Sequence, residues 1–74
     1  MDVSKKKQAF KRLAESRTKK AISAMNLITN LSNTSNYYYE EEDIKKIVDA
    51  LRESVKLVEA TFQKPLSKKR DFEL

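Results

Sequence analysis

The sequence predicts an all-α chain: an antiparallel helical hairpin of two long helices that associates with a second copy as a four-helix bundle. Three observations carry that expectation. Two segments place apolar residues at helical spacing, one block rich in Asn, Ser, Thr and Tyr separates them, and the 74 residues contain no Gly and one Pro. Gly and Pro punctuate strands and tight turns, so their scarcity beside 36% charged residues fits a helix-rich chain.

The first helix is expected over about residues 5–31. Phe10, Ala14, Arg17, Ala21, Ala24, Ile28 and Leu31 step by alternating four and three, with Leu13 and Met25 widening the face. Ser4 is placed to cap its start. The turn, 32–39, holds Asn33 and Asn36, which stand in for the missing glycines; one of them is expected at positive φ.

The second helix is expected over about residues 40–63, through Ile44, Val48, Leu51, Val55, Val58 and Phe62, with Ile47 beside them. Glu40, Glu41, Glu42 and Asp43 crowd its start, where the positive end of the macrodipole favours acids. Pro65 lacks an amide donor and restricts Lys64, so the helix should stop near Phe62 or Gln63. Residues 65–74 then form a flexible tail, and 1–64 a single hairpin domain.

Folding the chain back at the turn pairs positions whose numbers sum to 72: Ile28 with Ile44, Ala24 with Val48, Ala21 with Leu51, Arg17 with Val55, Ala14 with Val58, Phe10 with Phe62. Small residues meet branched ones, which suits close antiparallel packing. The stripes are wider than one seam needs, and 74 residues make a marginal core. A homodimer is therefore expected, completing the core as a bundle with coiled-coil character.

No Cys and no His excludes disulfides and removes the commonest transition-metal ligands, so no metal or other cofactor is expected. The same lack, with no Gly-rich phosphate loop, argues against an enzyme and against a small-molecule substrate. No apolar stretch spans a bilayer and the basic start leads into Ala9-Phe10-Lys11-Arg12, so the expectation is a cytoplasmic chain away from membranes.

The net charge of +5 is unevenly spread. Residues 1–31 carry eight Lys/Arg against Asp2 and Glu15, residues 32–63 four against seven acids, and residues 64–74 four against two. Lys5, Lys6, Lys7, Lys11, Arg12, Lys19 and Lys20 are candidate phosphate contacts, weighed equally against a merely solvated face. Arg17 interrupts an apolar stripe, and its expected role is a structural ion pair with Glu59 that fixes register, favoured over a ligand contact; Glu15 of a second copy is the alternative partner. Tyr37, Tyr38 and Tyr39 cannot all enter one small core, so at least one is expected on the surface; all three are candidate protein-binding contacts, weighed equally against one or two of them capping the end of the bundle.

The run Asn30-Leu-Ser-Asn-Thr-Ser-Asn-Tyr-Tyr-Tyr39, followed by Glu41-Glu-Asp-Ile-Lys-Lys-Ile47 and Ala50-Leu51, resembles a group of small uncharacterised bacterial helical-hairpin proteins of phage and plasmid type. The likeness covers about residues 12–62, with Thr29 where that group carries Gly. It implies a mobile-element accessory protein without an agreed activity. Residues and resemblance together lead to the expectation of a non-catalytic regulatory protein that binds another macromolecule and occludes its surface. The alternative is a small basic nucleic-acid-binding protein using the first helix and the tail.

Overall fold

The computed structural model describes the backbone of residues 3–71 and the side chains of residues 3–64. The described residues form α1 (Val3–Thr29), one 3-10 turn (Asn30–Ser32) and α2 (Glu41–Asp71), with no strand among them. The chain is therefore all-α. It divides into two compact units, Met1–Tyr38 and Tyr39–Leu74.

In the first unit α1 begins at Val3, so Ser4 lies inside the first turn, past the N-cap position. First-turn amides lack helical acceptors wherever a helix starts, so moving the start by two residues costs little. α1 ends at Thr29, short of the expected Leu31. Ile28, Thr29 and Asn30 all have modest helix propensity, and the Thr29 hydroxyl donates back to the Met25 carbonyl at 3.2 Å. The chain then tightens into the 3-10 turn, which contains Leu31.

No described residue has positive φ, which overturns the expectation for Asn33 and Asn36. Asn33 is extended, with φ −69° and ψ 102°. Its carbonyl accepts the amides of Asn36 at 3.2 Å and Tyr37 at 3.0 Å, while its side-chain Oδ1 accepts the amide of Ser35 at 3.0 Å. Three amides are thus satisfied from an ordinary backbone conformation, and no left-handed residue is required.

In the second unit Glu40 caps α2. Its carbonyl accepts the amides of Asp43 at 3.0 Å and Ile44 at 3.3 Å, and its own amide donates to Asp43 Oδ2 at 2.9 Å. This is one half of a capping box, with the carboxylate at the third helical position returning to the cap. Glu41, Glu42 and Asp43 fill the first turn, as the macrodipole favours.

α2 does not stop at Phe62 or Gln63 but runs through Pro65 to Asp71, which replaces the expected tail with helix over residues 65–71. Proline removes one donor, the one that would serve the Thr61 carbonyl, yet its φ is already helical, so the turns on either side continue. Residues 72–74, the rest of that expected tail, lie outside the described residues.

Local interactions contribute little to either helix. Lys19–Glu15 at 3.2 Å, Lys46–Glu42 at 3.3 Å and Lys56–Glu53 at 3.9 Å are exposed pairs within one helix, worth about 0.2–0.5 kcal/mol each. Covering one Val, Leu or Phe side chain is worth about 1.5–3 kcal/mol. Val55 and Val58 remain more than half exposed, and no described residue is buried. A surface covering these stripes would therefore add more than the local pairs do.

Candidate binding surfaces

In the first unit the seven candidate cations do not make one cluster. Lys6 and Lys7 fall on the flanks of the Phe10 stripe by helical geometry, whereas Lys5, Arg12 and Lys19, seven residues apart, share the opposite side at a rise of about 10.5 Å per step. Lys11, Arg12, Lys19 and Lys20 line one shallow groove with Ser16 and Glu15. Glu15 accepts from Lys19 Nζ at 3.2 Å, so one acid sits among four cations. An anion meeting this side would find Lys5 and Arg12 and would compete with Glu15 for Lys19.

Arg17 is exposed on α1, between Ala14 and Ala21 on the apolar side of the wheel. Glu59 is exposed on α2, one turn beyond Val55. They belong to different units, and their pairing is taken up below as a proposal.

The tyrosines differ in environment. Tyr38 is 89% exposed and Tyr37 is half-exposed, both in the first unit. Tyr37 is fixed through its backbone, because its amide is held by the Asn33 carbonyl at 3.0 Å. Tyr39, in the second unit, is only partly exposed and lines a shallow groove with Ile44, Val48 and the stems of Lys45 and Arg52. A ring beside apolar and charged side chains offers both contact area and a polar tip.

Sequence reasoning missed a second stripe on α2. Ile47, Ala50, Ser54, Leu57 and Thr61 repeat the alternating three and four steps beside the Ile44 stripe, and none is charged. The same spacing, run again from Ile47, picks it out in the sequence. Ser54 Oγ donates to the Ala50 carbonyl at 3.3 Å and Thr61 Oγ1 to the Leu57 carbonyl at 2.7 Å. Both hydroxyl protons are committed within the helix, so the stripe presents less unsatisfied polarity than its composition suggests. Leu57 is 67% exposed.

Among the described residues no group of three or more acids is gathered as a metal site would require, and no helix is long and apolar enough to cross a membrane. No known family, curated protein or solved structure matches the chain.

Proposed function

We propose that this is a non-catalytic regulatory protein: a helical hairpin that dimerises and acts by covering a surface on a partner protein, in the manner of a phage- or plasmid-encoded accessory or inhibitor. The observation that carries this reading is the exposure of Val55 and Val58 on a stripe whose spacing matches a complementary stripe on α1. Surfaces of that kind fold stably only when something covers them. The register that sums to 72 puts α1's alanines against α2's branched residues, and a second hairpin covers what remains. In that register Arg17 lies near Glu59, which compensates a charge that would otherwise be costly to cover. Tyr37 and Tyr38 supply the partner contact, because exposed tyrosine carries apolar area at low entropy cost.

The test replaces Tyr37 and Tyr38 with Ala in a tagged chain. The wild type should retain a specific protein that the variant loses, with helix content unchanged. Equal retention by both would remove the tyrosines from the reading.

The line of Lys5, Arg12 and Lys19 favours a second reading, in which the same chain holds nucleic-acid phosphates along α1. Salt separates the two. Phosphate-held complexes lose affinity steeply between about 50 and 200 mM salt, and a tyrosine-centred protein interface changes much less.

A further inference from the structure

We propose that α2 carries a second contact surface, formed by Ile47, Ala50, Ser54, Leu57 and Thr61, whose occupant is the same surface of a second copy running antiparallel. The inference deepens the dimer proposed above and rests on it for what covers the Ile44 stripe. Its own argument uses α2 alone.

The stripe extends over about 21 Å from Ile47 to Thr61 without a charge. Continuing the same steps outward reaches Asp43 at one end and Lys64 at the other, so the surface is apolar or hydroxylic along its length and oppositely charged at its tips. A parallel copy would set Asp43 on Asp43 and Lys64 on Lys64. An antiparallel copy centred on Ser54 sets Asp43 against Lys64 at both ends.

The side chains between those ends are self-complementary in the antiparallel sense. Position numbers that sum to 107 or 108 bring Leu57 to Ala50, Ile47 to Thr61 and Ser54 to its own copy. Each large residue meets a smaller one, and the small pair at the axis lets the backbones approach. Because the Ser54 and Thr61 hydroxyls already donate to Ala50 and Leu57 carbonyls at 3.3 and 2.7 Å, covering them leaves no donor stranded. Glu53 lies at the margin nearest the axis, and its charge is met by Lys56 of its own helix at 3.9 Å.

The chain has no cysteine, so single cysteines report contacts directly. Chains carrying Ile47→Cys and Thr61→Cys, mixed and oxidised, should yield the mixed disulfide dimer in preference to either homodimer. Ile47→Cys homodimers in excess would mean a parallel pair and overturn the proposal. In sedimentation equilibrium, Leu57→Glu should weaken dimerisation about tenfold or more, with helix content followed by circular dichroism. Lys64→Glu should weaken it several-fold by facing Asp43. A wild type that stays monomeric, or a Leu57→Glu dimer of unchanged affinity, would also overturn it. The hairpin itself is read separately, from an intrachain disulfide in a Phe10→Cys, Phe62→Cys chain. Absence of that bond with the 47–61 cross-link intact removes the hairpin and leaves the α2 contact standing.

Discussion

Asp43 Oδ2 accepts the amide of Glu40 at 2.9 Å, while the Glu40 carbonyl accepts the amide of Asp43 at 3.0 Å. The two residues tie the first turn of α2 into a closed loop of local bonds. Asp43→Ala should cost about 0.5–2 kcal/mol, as loss of a capping interaction does. The check is chemical denaturation together with amide exchange, which should show fraying confined to the start of α2. Exchange unchanged at Glu40 through Ile44 would argue against the cap.

Pro65 sits inside helical backbone, where it withholds the donor due to the Thr61 carbonyl. Pro65→Ala should raise helicity and stabilise the chain by up to about 3 kcal/mol, the helix-interior difference between the two residues. Far-UV circular dichroism and thermal melting test this. No gain in either would place residues 65–71 outside the folded helix in solution.

Arg17 lies on the apolar side of α1, at the seam of the hairpin proposed above. Arg17→Leu should raise the melting temperature, since well-packed apolar replacements of covered ion pairs are often neutral or stabilising by about 1–4 kcal/mol. Glu59→Ala alone should do the reverse. If both changes fall within about 0.5 kcal/mol, Arg17 is a solvated surface residue and the seam register is wrong.

Lys5, Arg12 and Lys19 make the salt prediction concrete. In the nucleic-acid reading, replacing all three by Gln should abolish binding of a labelled DNA duplex and flatten its salt slope, each lost phosphate contact removing about 0.9 from the slope of log K against log salt. Duplex affinity that ignores the triple substitution would end the nucleic-acid reading.

Helical periodicity made both helices legible, because an apolar residue every three or four positions leaves little room for another structure. Their ends were harder, for reasons particular to each. Pro65 marks where helix formation becomes costly, not where it becomes forbidden, and α2 passes it. Asn33 was expected at positive φ by analogy with glycine, yet its side chain satisfies the Ser35 amide from an extended backbone. The uneven exposure of Tyr37, Tyr38 and Tyr39 could not be read from three identical letters. Tyr39 alone of the three lines the groove with Ile44 and Val48. The second α2 stripe is masked in the sequence by Ser54 and Thr61, whose polarity is visible there while their bonds to the helix backbone are not.

The bonds centred on Asn33 and Glu40 span at most four residues. Such contacts close with little loop entropy, and helices of this length relax within about a microsecond. The cap and turn can therefore form at any dilution, whereas covering Leu57 by a second copy requires an encounter between chains. With the α2 contact proposed above, refolding should split into a fast phase indifferent to protein concentration and a slower one that accelerates with it, so that the abundance of the chain would set how quickly that contact forms.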